Sequence, residues 1–336
     1  MTRLRAAVLA VLMVLGLAAF AAACGGDGDG DGASGGSPAS KDDVDLTQGQ
    51  DATIAMVTHG DGGSFWAVAK RGAEDGAKQM GVTLKYSESN NDPQKQAQLI
   101  DAAVTEKVDG LAVSAPNPDA LKDSLGKAVD AGIPIITLNS GADDFEALGA
   151  YTHVGQTEEI AGEGAGAKFK EAGATKLLCV IHEQANIGLN QRCDGAKTGF
   201  GGDVENLQVK GTEDIQTTLT EIQSKLQSDD SIDAVLALNP DIAIAARDAV
   251  KGAGSSATLG TFDLSGDVVQ AIQDGEIEFA VDQQQYLQGY LPVVFLTLNK
   301  TNANTIGGGQ PVLTGPGFVT KDNAETVAQL AQDGTR

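Results

Sequence analysis

Residues 53–86 read TIAMVTHGDGGSFWAVAKRGAEDGAKQMGVTLKY, and this stretch decides the fold. Ile54 to Val57 is a short unbroken apolar run, the pattern of a strand covered on both faces. A glycine-rich turn follows, and then Phe65 to Met80, where apolar residues recur three or four apart and so share one face of a helix. Val82 to Tyr86 returns to strand character. A strand, a helix and a second strand of this kind form a right-handed βαβ unit, whose two strands lie parallel.

Working outward, the same alternation continues. Strands are expected at Gly110 to Val113 and Ile135 to Leu138, separated by helical stretches at Gln94 to Lys107 and Ala120 to Ala131. The pattern then restarts. Strands at Lys176 to Ile181, Asn206 to Val209, Ala234 to Leu238, Thr258 to Gly260 and Phe279 to Val281 alternate with helices at Glu158 to Glu171, Gly195 to Phe200, Ile215 to Gln227, Ile242 to Ala253 and Gly266 to Gln273. Two successive patterns imply an α/β protein of two doubly wound parallel-sheet lobes, which suits a body of about 285 residues, more than one core usually supports. A helix at Tyr286 to Asn299, an extended segment around Val312 and a helix at Asn323 to Leu330 remain. They are expected to carry the chain back to the first lobe, so that several hinge crossings join the two. The expected division is residues 52–150 with about 284–312 in the N-terminal lobe, and residues 151–283 with about 313–336 in the C-terminal lobe or a tail.

Before this body, Arg3 and Arg5 precede the apolar run Ala6 to Ala23, the charged and hydrophobic regions of an export signal. A retained membrane helix is the competing reading. Ala21, Ala22 and Ala23 lead into Cys24, which resembles a bacterial lipobox, with Ala21 where that pattern prefers a larger aliphatic residue. The resemblance implies that residues 1–24 are a lipoprotein signal and that acylated Cys24 anchors the chain to the outer face of the cell membrane. Gly25 to Asp51 is almost free of apolar residues and cannot offset the entropy of ordering. It reads as a disordered tether reaching roughly 29 Å as a flexible coil. Asp27, Asp29 and Asp31 begin like a calcium loop, but Pro38 stands where the closing glutamate belongs, so no calcium site is expected.

The net charge of -23 disfavours nucleic acid as a partner, because phosphate neutralisation needs clustered cations. With Cys24 assigned to the lipobox, Cys179 and Cys193 are an even pair in an exported chain. A disulfide is the natural reading, contributing about 3 kcal/mol for a loop of roughly 15 residues. Two buried free thiols are the alternative. His59, His153 and His182 show no ligand spacing with them, so neither a metal nor any other cofactor is expected.

Open parallel sheets hold ligands beyond the carboxyl ends of their strands. The residues there are Thr58, Phe65 and Trp66 after the first strand, Ser114 and Asn117 after the third, and Asn139 and Ser140 after the fourth. The second lobe offers Glu183 and Asn190 with Arg192, Asn239 with Asp241, Phe262 with Asp263, and Asp282 with Gln283. Amides, carboxylates and a guanidinium can each bond neighbouring hydroxyls, and aromatic rings cover the C–H faces of a sugar. Phe65 and Phe262 have plain core packing as their alternative.

The segments AMVTHGDGGSFW, KQAQLIDAAVTEKVDGLAVSAPNPDAL, AGIPIITLNSG, VLALNPDIAIAARDAV and LGTFDLSGDVVQAIQDGEIEFAVDQQQYLQGY, in this order, resemble periplasmic sugar-binding proteins of the ribose-binding type. The resemblance runs from Thr53 to about Phe318. It implies the type I periplasmic binding protein fold and a monomeric solute-binding component of an ABC importer, whose partners are a small polar ligand, sugar or polyol, and the permease subunits. It further implies that Thr58, Phe65, Trp66, Asn139, Arg192, Asn239, Phe262, Asp263 and Gln283 contact that ligand. Ribose-type members carry an Asp-Arg pair where this chain has Asn139 and Ser140, and an Asn near Ala115 and Pro116. These departures turn the expectation from ribose toward another pentose, a hexose, a polyol, a cyclitol or a small signal molecule.

Other classes fit less well. Gly162, Gly164 and Gly166 echo a dinucleotide loop but lie inside a helical pattern, where small residues serve close packing. Ser64 does not sit in a strand-elbow pattern with glycines on both sides, as a nucleophile elbow requires. Asp143 with Asp144 and Asp229 with Asp230 read as solvated turns. A glycosidase needs two opposed carboxylates, and Asp263 facing another acid stays open at this point. A repressor with this architecture would begin with a basic helix-turn-helix in place of the acidic tether. A sensor that passes its closed form to a chemoreceptor or kinase uses the same receptor body.

Overall fold

A computed structural model describes Gly49 and residues 51–336; the signal, Cys24 and nearly all of the tether lie outside the described residues. The first lobe contains β1 (Thr53–Thr58), α1 (Ser64–Met80), β2 (Thr83–Glu88), α2 (Pro93–Thr105), β3 (Gly110–Ser114), α3 (Pro118–Asp130), β4 (Ile135–Asn139) and β5 (Thr152–Gly155). The chain then enters α4 (Glu158–Glu171), β6 (Lys176–Ile181), α5 (Ile187–Phe200), β7 (Asp203–Gln208), α6 (Ile215–Ser228), β8 (Ala234–Ala237), α7 (Pro240–Ala253), β9 (Thr258–Phe262), α8 (Gly266–Asp274) and β10 (Phe279–Asp282). It closes with α9 (Gln285–Asn302), β11 (Val312–Leu313), β12 (Gly317–Thr320) and α10 (Ala324–Gln332). The two six-stranded sheets have the orders β11-β5-β4-β3-β1-β2 and β12-β10-β9-β8-β6-β7. Every pairing is parallel except β10 with β12.

Local chemistry sets the strand-to-helix turns. Asn117 and Asn239 each cap a helix through side-chain oxygen, and Pro118 and Pro240 follow at the first helical position, where a missing N–H costs nothing. Every residue of β3, β4, β8 and β10 is buried, as required of strands covered by helices on both faces. On one face of the first sheet Val293 and Leu296 of α9 pack with Ile54, Met56, Ala112 and Ile136.

The helix pair α4 and α5 is drawn unusually close. A Cβ added at Gly162 would lie 2.1 Å from the backbone oxygen of Arg192, and one at Gly195 would lie 2.1 Å from that of Glu159. The glycine stripe is thus a packing device, and it fixes the helix that carries Arg192. Cys179 of β6 and Cys193 of α5 are disulfide-bonded, with their Cα atoms 5.9 Å apart.

Three crossings join the lobes: β5 to α4, β10 to α9, and β11 to β12. Thr314 ties them together, its Oγ1 donating to Gln283 O at 2.7 Å and lying 3.3 Å from Gly155 O, while its N–H donates to Gly155 O at 2.7 Å. Arg336 clamps the second crossing, reaching Asp282 Oδ2 at 2.8 Å and Gln284 Oε1 at 2.9 Å.

Two differences from the sequence reading concern boundaries. Thr152–Gly155 pairs with β4 in the first sheet, so that lobe runs beyond residue 150. Helix α5 starts at Ile187, eight residues before Gly195, because Asn186 caps it by accepting from Gly188 N–H.

Candidate functional site

The carboxyl ends of the strands face one another across the gap between lobes, and a small polar cavity lies there. The first lobe lines it with His59 just beyond β1, Phe65 and Trp66 from the first turn of α1, and Asn139 at the end of β4. From the second come His182 and Glu183 beyond β6, Asn186, Leu189 and Arg192 on or capping α5, Asn239 beyond β8, Asp263 beyond β9 and Gln283 beyond β10. Asn139 and Asp263 hold left-handed backbone conformations, with φ of 60° and 69°. Such conformations cost about 1–3 kcal/mol and concentrate at functional sites, with Asn and Asp the residues that best tolerate them.

Arg192 organises the second lobe's side. Its Nε and Nη2 donate to Glu158 Oε2 and Oε1 at 2.6 and 3.0 Å, and Nη1 donates to Leu238 O at 3.1 Å. The guanidinium lies 4.4 Å from the centre of the Phe262 ring. Burial works against its charge, but Glu158, with Asp263 and Glu183 behind it, outweighs that, and its pKa rises above the ordinary arginine value. Of its five N–H groups, two stay free for a ligand. Asn239 Oδ1 accepts from the N–H groups of Asp241 and Ile242, which leaves its amide nitrogen to donate.

Beside the arginine, Asp263 is almost completely buried and its Oδ1 has no partner. Burial pushes its pKa up to about 7, against the pull of Arg192. Gln283 accepts on Oε1 from Gln288 Nε2 at 2.9 Å, while its own Nε2 has no partner. A buried acceptor and a buried donor left unmatched are costly in an otherwise satisfied interior. The Gln283 amide also pulls the Asp263 pKa down, so the two groups are neighbours that together offer a ligand an acceptor and a donor.

On the facing side, His59 Nδ1 lies 2.7 Å from Ser114 Oγ, and its ring meets Trp66 edge-on at 4.8 Å. Burial drives its pKa down to about 3, so the ring is neutral near pH 7. His59 Nε2 lies 3.6 Å from Glu183 Oε2 and His182 Nε2 lies 3.8 Å from Glu183 Oε1, so Glu183 sits between a histidine of each lobe. Among the described residues, no cluster of His, Cys, Asp and Glu side chains is arranged to hold a metal ion.

The lobes also touch around the cavity. Ser64 N–H donates to Asp241 Oδ2 at 3.1 Å, Ile187 N–H to Pro116 O at 3.1 Å, and Gln191 Nε2 to Asp143 Oδ2 at 2.8 Å; Thr212 Oγ1 bonds Asp61. This is a closed conformation.

Seven of the nine residues expected from sequence line the cavity: Phe65, Trp66, Asn139, Arg192, Asn239, Asp263 and Gln283. Thr58 and Phe262 do not. Each is the last residue of its strand and turns to the opposite face from the cavity-lining residue that follows it. Thr58 Oγ1 accepts from Gly60 N–H, and Phe262 supports Arg192 from behind. Sequence reasoning passed over His59, His182, Asn186 and Leu189, and it named Glu183 only as a strand-end residue. Glu158, which orients Arg192, gave no signal beyond an ordinary acidic residue in a first helical turn.

Two lobes linked by three crossings and closed over a polar cavity at their strand ends define a receptor that captures a small solute by domain closure. The chain belongs to the periplasmic binding protein domain family, whose model matches residues 54–298. It is similar to a carbohydrate transporter from Acidothermus cellulolyticus solved in complex with myo-inositol, at 44% identity and a TM-score of 0.83, covering 85% of this chain and 100% of that one. It is also similar to the fructose import binding protein of Bifidobacterium longum, 28% identical over 244 residues, which are 68% of this chain and 74% of that protein. The ribose import binding protein of Bacillus subtilis is 27% identical over 238 residues, again 68% and 74%. The family places the protein outside the cytoplasm, and the fructose and ribose relatives are import binding proteins.

Proposed function

We propose that this chain is the solute-capturing component of an ABC-type importer and that its ligand is a neutral polyhydroxylated ring, with the cyclitol myo-inositol the first candidate. The observation that carries the reading is the set of unmatched buried groups around one cavity: Asp263 Oδ1, Gln283 Nε2 and the two spare N–H groups of Arg192. An alcohol group both donates and accepts, so neighbouring hydroxyls of one ring satisfy all three. Phe65 and Trp66, in edge contact at 5.0 Å, supply apolar surface for the C–H face of that ring. The myo-inositol complex of the 44% identical relative supports the same class. Asn139 and Ser140, which replace the Asp-Arg pair of ribose-type proteins, speak against ribose.

Ligand stabilises the closed form by contacting both lobes at once, and the permease subunits read that form. Thermal-shift and calorimetric titration against cyclitols, pentoses, hexoses and amino acids tests the proposal. A ligand at 100 times its dissociation constant adds about 2.7 kcal/mol of stability. If amino acids alone bind, the polyol reading is wrong; product formation from a labelled sugar panel would make the protein an enzyme.

Attachment through Cys24 completes the proposal. The wild-type chain is expected in the membrane fraction carrying acyl mass on Cys24, and Cys24→Ala in the soluble fraction. Equal partitioning of the two would remove the lipid anchor.

A further inference from the structure

The cavity described above does not end the space between the lobes. A second, larger chamber of about 330 Å³ adjoins it, and His59, His182, Glu183 and Asn186 line both. Its other walls are again strand ends. Pro93 and Asn91 follow β2, Pro116 and Asn117 follow β3, and Lys210 and Thr212 follow β7. The inner cavity draws on β1, β4, β6, β8, β9 and β10, so the outer chamber recruits the strands that it leaves unused, β2, β3 and β7, apart from the shared β1 and β6. In both sheets β2 and β7 are the edges opposite the hinge crossings, which places the chamber toward the mouth of the cleft.

Two features separate this chamber from ordinary open cleft. Bonds between the lobes cross its rim, at Ile187 N–H to Pro116 O and at Thr212 to Asp61, so it is bounded in the closed form. At the junction, His182 is more than nine-tenths buried and its Nδ1 has no partner, which leaves a polar group of the shared wall unmatched.

We infer that the outer chamber is a subsite for a second, uncharged, hydroxylated ring, and that the full ligand is a glycoside whose first ring fills the inner cavity. The inference rests on the polyol reading proposed above. Its lining fits that occupant. The Gln184 amide and Asn117 Nδ2 can bond neighbouring hydroxyls, while Asn186 is held by Gly188 N–H and Glu183, and Pro93 and Pro116 present apolar surface. An anionic substituent such as a phosphate is disfavoured, because Glu183 and Glu213 outnumber the one cation, Lys210. An aromatic or aliphatic substituent would find no Phe, Tyr or Trp side chain there. The outer chamber, at about 330 Å³, falls within the range of ligand sites, roughly 300–1,000 Å³, and it joins the small inner cavity through their shared wall.

Calorimetric titration of the full-length chain with matched pairs tests this: myo-inositol against galactosyl-myo-inositol, galactose against melibiose, and glucose against maltose. In the pair whose single ring binds, the two-ring member is expected to bind at least tenfold tighter. Ala185→Trp, which fills the outer chamber from an exposed position, is expected to remove that gain and leave the single ring within twofold. Lys210→Ala with Gln184→Ala should weaken the two-ring ligand alone, and circular dichroism would verify that both variants are folded. If a single ring binds and its glycoside binds equally or worse, or if the variants shift both members alike, the subsite is refuted and the polyol reading stands. If no member of any pair binds, both fall.

Discussion

Replacing Asp263 with asparagine is expected to make the empty receptor more stable and the loaded one weaker. The carboxylate is buried, and burial raises its pKa from 3.8 to about 7. A raised acid pKa means that the folded state holds its proton more tightly than the unfolded chain does. Stability is therefore full below about pH 4, falls as pH rises through the window to about 7, and is level above it. A shift of this size amounts to at most about 4 kcal/mol at 1.36 kcal/mol per unit. Asparagine carries no charge and tolerates the left-handed backbone at this position, so Asp263→Asn should recover a large part of that loss at pH 8 and flatten the dependence. Ligand binding runs the other way. A hydroxyl donating to Oδ1 favours the ionised form, so wild-type affinity should fall by up to tenfold per unit as pH drops below about 7. Urea unfolding of the ligand-free protein and calorimetric titration, each between pH 5.5 and 8.5, measure both effects. A variant no more stable than wild type at pH 8, together with wild-type affinity that does not change with pH, would refute this account of the carboxylate.

Other expectations follow from the same neighbourhood. Arg192→Met should weaken ligand at least tenfold, since charge-assisted hydrogen bonds are worth about 1.5–3 kcal/mol each, and unchanged titration would misplace the site. Glu158→Gln should cost about 3–5 kcal/mol in urea unfolding, because it strips a buried guanidinium of its counter-charge; a change under 1 kcal/mol would show that the pair contributes little. Cys193→Ser should lose about 3 kcal/mol under oxidising conditions and make the chain insensitive to reductant. Gly162→Ala forces a methyl toward the Arg192 carbonyl and should cost about 1–3 kcal/mol while also weakening ligand, whereas wild-type stability would indicate slack between α4 and α5.

The parallel sheets were legible because strands covered on both faces are written as unbroken apolar runs, as in Ile54 to Val57. Strand β5 hid because its sequence is THVG. Its two polar residues are fully buried, and His153 Nδ1 lies 3.0 Å from Thr137 Oγ1, so a polar pair does inside the lobe what apolar contact does elsewhere. Burial drives that histidine's pKa down to about 3 as well, keeping it neutral inside the sheet. The strand-end rule located the cavity, but it could not say which side of the sheet the final residue of a strand takes, and Thr58 and Phe262 fell on the wrong one. His182 and Glu183 sit in a polar loop that reads as solvated, and only the approach of the other lobe buries them. His59, a partner brought in from the other lobe, leaves no local trace in the sequence around Glu183.

The three crossings also govern how the molecule comes into being. The first lobe's sheet needs α9 over one face and β11 at its edge, and both are encoded after the whole second lobe. At translation rates of about 5–20 residues per second, the apolar face of that sheet would wait on the order of ten seconds for its cover. An early-folded first lobe would therefore be sticky. Assembly of both lobes together, once the whole chain is available, removes that hazard.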